Sequence, residues 1–311
     1  MEGRIVELRE LEYVLAIADT GSISRAAERL YLAQSSLSQF LNRLESNLGV
    51  KLFVRTSGGV RPTLSGEIYI RSARQMLSQY RMLKAELHDM ESLGEGRIEF
   101  GISSFRGEYL LPKALYSFRE TAPSVEVVIH EMDSKLLHRR IAAGDLDMGL
   151  IAYQGDAWTA SGKLVKRDEV IIVANKAHPV MQYVSIGNGG PDRPWVNLEQ
   201  ISHFEFLLSN HSTMLGSSAY EMFDRLNIKP RAVNTNLTAA FAAAMARQGL
   251  GLAFTYRSCA APYPDVEYLS IGPDQYYVNL ALVYPPEGYR SRAIRAFEET
   301  IRQSFGDCDH T

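Results

Sequence analysis

"SISRAAERLYLAQSSLSQFLNRLESNLG", residues 22–49, carries two short helical patterns with almost no linker between them. The first, residues 25–31, turns Ala26, Ala27 and Leu30 to one side, with Ser24 placed to cap it. The second, about 35–48, collects Leu37, Phe40, Leu41, Leu44 and Leu48 on a single face and stops at Gly49. Opposite that face stand Gln34, Ser35, Ser38, Gln39 and Asn42, amides and hydroxyls rather than charges. Such a face is either ordinary solvated surface or a surface that reads hydrogen-bonding edges. Gln and Asn each offer a donor and an acceptor together, the pair that matches adenine N6 and N7 in the major groove. Taken alone, the helix favours the plain surface.

Its neighbours change that balance. Before it, residues 8–20 place Leu8, Leu11, Leu15 and Ala18 at helical spacing and end at Gly21. After it, "VKLFVRTSGGVRPT", residues 50–63, reads as two short strands around a Ser-Gly-Gly turn. From Thr20 to Arg74 there are eight Lys and Arg against three Glu, a local excess of five in a chain whose net charge is −3. A helix, a helix-turn-helix and a basic hairpin make the plan of a winged helix-turn-helix, and the charge suits a polyanion. Candidate DNA contacts are Ser24, Arg25, Gln34, Ser35, Ser38, Gln39 and Asn42, with Arg55 on the wing.

Tyr69, Ala73, Met76, Tyr80, Leu83, Leu87 and Met90 then step by four and three without interruption, up to the break at "SLGEGR". A narrow 3.5-residue period favours a coiled coil over the broader stripe of a core helix, so the spacing predicts a dimerising linker helix. From Arg97 the texture becomes strand and helix in alternation. "RIEFGISS", "SVEVVIHEM" and "DLDMGLIA" read as strands with helical segments between them, a parallel βαβαβ unit. A second set follows: "EVIIVAN", "FEFLLS", a helix about 215–226, "AVNTN" and "LTAAFAAAMARQGLGLAFT". "YYVNLALVY" and a helix over 289–304 complete the chain.

The 311 residues exceed one ordinary domain, and an apolar fraction of 46% allows sizeable cores. Two distant cysteines, Cys259 and Cys308, suggest a reducing compartment, and "MEGRIVELRE" lacks the apolar core of a signal peptide. No run approaches a membrane span, so the expected location is cytoplasmic and no membrane partner is expected. The seven histidines show no metal-ligand spacing, no nucleophile elbow or phosphate loop is present, and no cofactor or catalytic residue is assigned. "GLGLAF", residues 249–254, suits a helix-to-strand turn better than a dinucleotide site.

Residues 8–56, "LRELEYVLAIADTGSISRAAERLYLAQSSLSQFLNRLESNLGVKLFVRT", closely resemble the N-terminal domain of LysR-type transcriptional regulators. The "T--G" at Thr63–Gly66 fits too, and the resemblance continues through "YLLPKALYSFRE", "HRRIAAGDLDMGLI" and "ARQGLGLAF". It implies an α/β chain in three parts. These are a winged helix-turn-helix (1–62), a linker helix (63–93) and a two-subdomain, periplasmic-binding-protein-like effector domain (94–311). Subdomain I would span about 94–165 and 270–304, subdomain II about 166–269, with crossings near 163–168 and 267–272. The implied partners are double-stranded promoter DNA, a small effector, anionic in character, and further copies of the chain as a homodimer or homotetramer. The effector cleft would be lined by Ser103, Ser104, Ser134, Tyr153, Ser209 and Thr255, with Arg106 either pairing with a carboxylate or simply exposed.

Three positions depart from the family's usual pattern. Ala33 stands where Ser is frequent, Ser35 where Pro is frequent, and Gln39 where Arg is frequent. Ser35 or Ser36 is expected to replace the lost helix cap, at a cost near ~1 kcal/mol. A two-lobed solute-binding or enzymatic protein is the competing reading, but it gives residues 1–92 no role. A nonspecific nucleoid protein conflicts with the near-neutral total charge.

Overall fold

The structure, a computed structural model, describes residues 7–91, 96–155, 162–187, 190, 192–286 and 289–306. The side chain of Met90, the break expected at 92–95, Cys308 and His310 lie outside the described residues. The chain divides into two units. One is Met1–Leu93 with the short pieces Ala142–Asp145 and Glu287–Ser291; the other is the remainder.

The N-terminal unit runs α1 (Leu8–Thr20), α2 (Ile23–Arg29), α3 (Gln34–Leu48), β1 (Phe53–Thr56), β2 (Gly59–Pro62) and α4 (Leu64–Glu91). Helical spacing sends Val14 and Ile17 of α1, Ala26 and Ala27 of α2, and Leu37, Phe40, Leu41 and Leu44 of α3 into one core. Gly21, at φ 61°, ends α1, and α2 starts two residues later. Ser22 rather than Ser24 caps α2, its hydroxyl accepting from the Arg25 N–H at 3.4 Å. Ser24 is exposed in the first turn, two residues past the extended backbone that a cap requires. Neither Ser35 nor Ser36 restores the cap of α3. Ala33 holds the cap position with no side-chain bond, because both serines already lie within the helix.

The hairpin pairs Phe53 with Pro62 and Arg55 with Val60. Thr63 then locks the hairpin to α4: its Oγ1 accepts from Gly66 N at 3.0 Å and donates to the Lys51 carbonyl at 2.6 Å. A Cβ at position 66 would lie 1.9 Å from the Leu52 carbonyl oxygen, so only glycine lets α4 approach so closely. That is the physical content of the "T--G" pattern. Along α4, Ala73 is buried and Tyr69 packs on the winged core. Met76, Tyr80, Leu83 and Leu87 are 44–53% exposed, a seam that no element among the described residues of this unit covers.

The C-terminal unit begins β3 (Gly96–Ile102), α5 (Ser104–Thr121), β4 (Val125–Glu131), α6 (Ser134–Ala142), β5 (Met148–Tyr153) and β6 (Gly162–Asn175). It continues β7 (Trp195–Val196), α7 (Leu198–Ile201), β8 (Phe206–Leu207), α8 (Met214–Arg225), α9 (Ala239–Arg247) and β9 (Leu252–Tyr256). The last elements are β10 (Val266–Ile271), β11 (Tyr276–Val283) and α10 (Arg292–Gly306). β3 lies parallel to β4 and β5, as the βαβαβ pattern predicts, and β11 pairs antiparallel with β5. The 14-residue β6 joins two lobes. Its first half pairs with β11, while its second half pairs with β9 and β10. The chain returns through the turn Gly272–Gln275, where Gly272 and Gln275 take positive φ.

"AVNTN" forms no strand. It runs along the open edge of β8 through the isolated bridges Glu205↔Arg231 and Ser209↔Leu237 and the bond from Leu208 N to the Asn234 carbonyl at 2.9 Å, without a continuous ladder. "GLGLAF" is a helix-to-strand turn, with Gly249 and Gly251 at positive φ ahead of β9. Phe100, Phe118 and Phe297 stack in the core of the first lobe, and Phe206, Phe223 and Phe254 in that of the second. Gly101 and Gly149 face one another in β3 and β5, where a Cβ would come within 2.4 Å of Leu137 and 2.6 Å of Ile141. α6 therefore presses directly on the sheet. Among the described residues no helix is long and apolar enough to cross a membrane.

Candidate functional site

Two sites emerge, one in each unit. In the first, packing of the α3 core face leaves Gln34, Ser35, Gln39 and Asn42 exposed and Ser38 half-buried. All five share the outward side of α3, so the structure brings this expected set together. Arg25 and Ser24 are exposed on α2, where the Arg25 guanidinium donates to the Thr20 carbonyl at 2.6 Å. Arg55 is exposed on β1 and meets no carboxylate among the described residues.

Glu45, on the α3 core side, escaped the sequence reading. It is 5% exposed, and its Oε1 accepts from the backbone N–H groups of Leu52 at 2.8 Å and Phe53 at 3.1 Å. Oε2 meets Lys51 Nζ at 2.6 Å. One carboxylate thus fixes the start of the wing to the helix that carries the amide face. The only sequence signal was an acid at a position whose helical neighbours, Leu41, Leu44 and Leu48, are apolar.

The second site is a cavity of about 580 Å³ between the two lobes of the C-terminal unit. α5, α6, α8 and α9 all send their N-terminal turns to it, through Ser103–Ser104, Asp133–Ser134, Thr213–Met214 and Thr238–Ala239. Four helix starts place several partial positive charges around one volume, an environment that favours an anion. Met132, Met214, Leu215, Leu237 and Phe105 supply apolar wall, and the exposed carboxylates Glu108 and Asp133 stand at the lining as well.

The hydroxyls differ in their commitments. Thr213 and Thr238 are true caps, accepting from Gly216 N at 3.1 Å and Phe241 N at 3.3 Å. On α6 the cap is Asp133, whose Oδ1 accepts from Lys135 N and Leu136 N at 2.9 and 3.0 Å. Ser103 sits at the cap position of α5 without a side-chain bond. The hydroxyls of Ser103, Ser104 and Ser134 are therefore not spent on capping.

Tyr153, Ser209 and Thr255 lie outside the cavity lining. Ser209 and Thr255 are 4% and 2% exposed within the second lobe, and Tyr153 is half-buried at the end of β5. Strand alternation explains Thr255, since its neighbour Tyr256 faces the cavity instead. Thr213, Asn210, Asn236, Thr238 and Tyr256 are among the lining residues the sequence did not reveal, although "STMLG" and "LTAAF" carry N-cap spacing.

Arg106 lines the cavity, as expected, but is not exposed. It is 3% accessible, with its Cζ 3.6 Å from the Tyr256 ring centroid and its Nε 3.8 Å from Asp168 Oδ2. The carboxylate it approaches belongs to the protein itself. Asp168 also accepts from Ser258 N at 3.1 Å and Ser258 Oγ at 2.6 Å. Beside them Cys259 is buried, and burial with the nearby Asp168 pushes its thiol up to about 12.

Comparison with known proteins matches both parts of the chain. Residues 8–67 match the bacterial regulatory helix-turn-helix protein model of the lysR family, and residues 91–306 match the LysR substrate binding domain. A probable HTH-type transcriptional regulator, LrrA, from Synechococcus elongatus is 29% identical over 273 residues, covering 83% of this chain and 84% of the relative. A probable RuBisCO transcriptional regulator from Trieres chinensis is 25% identical over 302 residues, covering 93% and 94%. Among solved structures, a full-length OxyR variant from Pseudomonas aeruginosa superposes with a TM-score of 0.70 at 23% identity, covering 96% of each chain. Full-length CbnR complexed with its target DNA gives 0.64 at 19% identity, covering 96% of this chain and all of that one. With a winged helix-turn-helix in front and an effector-binding domain behind, the chain belongs to the LysR family of DNA-binding transcriptional regulators.

Proposed function

We propose that α3 lies in the major groove of promoter DNA, with Gln34, Ser35, Ser38, Gln39 and Asn42 meeting base edges and nearby phosphates. Ser24 and Arg25 contact the backbone from the start of α2, and Arg55 reaches phosphate or the minor groove from the wing. The observation that carries this reading is the exposed, uncharged amide and hydroxyl face of α3, set on a wing that Glu45 holds in place. Domain limits of 1–62, 63–93 and 94–311 go with it. Dimerisation runs through α4, where Met76, Tyr80, Leu83 and Leu87 stand exposed. The seam continues into an apolar groove of about 390 Å³ lined by Leu11, Leu48, Val50, Ile68 and Met76. Two such dimers forming a tetramer, and a cytoplasmic location, complete the proposal.

The interlobe cavity takes the effector. Four helix N-termini and three uncommitted serine hydroxyls suit a small molecule with a carboxylate or similar oxyanion, and the methionine and leucine wall suits an apolar body. Cys259 does not serve as a thiol sensor, since peroxide chemistry needs an accessible thiolate and this one is buried with its pKa raised.

DNA binding is tested by fluorescence anisotropy on DNA from the chain's own upstream region across a salt series. Gln34→Ala should lose about 1–3 kcal/mol at one base pair and relax the preference there. Arg55→Ala should weaken all sequences and lower the salt slope by about one. Unchanged affinity and preference for Gln34→Ala would remove α3 from the readout.

A further inference from the structure

One of the two second-lobe helices that open onto the cavity, α8, is tied to the first lobe further along its length. On α8, Thr213 and Met214 line the cavity. One to two turns later Ser218 and Glu221 meet a polar relay from the other lobe. Gln154, which directly follows β5, donates its amide to Ser218 Oγ at 3.0 Å and to the Tyr276 hydroxyl at 2.6 Å. Tyr276, the first residue of β11, donates in turn to Glu221 Oε2 at 2.9 Å.

Ser218 is wholly buried and Gln154 half-buried, so the relay is shielded at its Ser218 end, where a lost partner leaves polar groups uncompensated; Glu221 at the other end is partly exposed and also paired with Arg225. Helices are stiff over a few turns, so a tether at Ser218 fixes where the Thr213 end stands. We propose that Gln154 and Tyr276 are positioning residues for the effector response, holding the cavity-lining end of α8 at its distance from the first lobe. This rests on the reading of the cavity as the effector site. An effector that moves α8 must strain or break the Gln154 relay, and that converts cavity occupancy into a change of lobe geometry.

The test is hydrogen exchange on the full chain without any ligand, comparing wild type with Gln154→Ala, Tyr276→Phe and the double variant. Exchange at Gly216 and Ser217, in the first turn of α8, should rise about three- to tenfold in each single variant. Exchange in α3 and in α10 should stay level. The double variant should exceed neither single by much, since both cut the same relay. Unchanged exchange at Gly216 and Ser217 overturns the proposal. A uniform rise that includes α10 also overturns it, because the relay would then serve general stability alone. The cavity's own role is judged separately, by thermal shift of the wild-type chain against a panel of small carboxylates. A negative panel would count against the effector reading and leave the exchange result standing.

Discussion

Replacing Glu45 should loosen the N-terminal unit without touching the C-terminal one. In Glu45→Ala the N–H groups of Leu52 and Phe53 lose their shared acceptor, and both residues are buried, at 1% and 7% exposure. A buried donor without a partner costs about 1–3 kcal/mol, so the pair amounts to about 2–6 kcal/mol. The ion pair to Lys51 adds little, because that side chain is 68% exposed and screened by water. A loss near ~3 kcal/mol is a large part of the ~5–15 kcal/mol that holds a domain together. Glu45→Gln keeps one carbonyl oxygen facing the two N–H groups and should lose only ~1 kcal/mol.

Tryptophan placement makes the assay selective. Both tryptophans, Trp158 and Trp195, belong to the C-terminal half of the sequence, so their fluorescence follows that half alone. Far-ultraviolet circular dichroism also follows the helices of the N-terminal unit. In Glu45→Ala the dichroism should show an earlier thermal step while the fluorescence midpoint stays put. Coincident, unshifted transitions would refute the role given to Glu45. So would a shifted fluorescence midpoint, which would mean the damage lies elsewhere.

Leu83→Asp puts a carboxylate into the exposed α4 seam, where desolvation against a partner helix is costly; sedimentation should show dissociation and operator affinity should fall with it. A variant that stays dimeric would assign the seam another role. Stability of the C-terminal unit should decline in acid through Glu99: burial alone would raise its carboxyl, but bonds from His130 and Arg97 bring it down to about 2. Because the folded pKa is depressed, the contribution is full above the ordinary 4.5 and lost as pH falls toward 2, about 2 kcal/mol after solvent screening. Glu99→Gln should flatten the tryptophan-detected stability profile across that window.

The sequence declared the fold wherever spacing alone decides it. Leu37, Phe40, Leu41 and Leu44 could face only one way on a helix, so the opposite amide face followed automatically. The alternating apolar texture after Arg97 required a parallel sheet covered by helices. What stayed hidden depended on contacts between residues distant in sequence. Thr255 looked like a lip residue because it follows "GLGLAF", yet strand parity turns it inward and presents Tyr256. Ser24 looked like a cap by adjacency, while the extended backbone that a cap needs falls at Ser22. Glu45 read as one more surface acid, since nothing local announces that Leu52 and Phe53 bring their N–H groups to it.

Arg106 has two claims on its charge. It lines the cavity, as its place after Ser104 suggested, while its guanidinium lies over Tyr256 and beside Asp168, itself wholly buried. If the charge serves Asp168, Arg106→Met should strand a buried carboxylate held, among the described residues, by Ser258 alone. Breaking a buried pair from one side typically costs about 3–5 kcal/mol. Converting Asp168 to Asn in the same chain removes the stranded charge, so the double variant should recover a good part of that loss. The non-additive term should be of the order of 1–3 kcal/mol for residues in contact. Trp195 fluorescence can follow this unfolding, because the residue belongs to the same unit. Simple additivity of the two substitutions would mean that Arg106 and Asp168 ignore one another. The guanidinium would then be free to answer an anion in the cavity, as its place in the sequence first suggested.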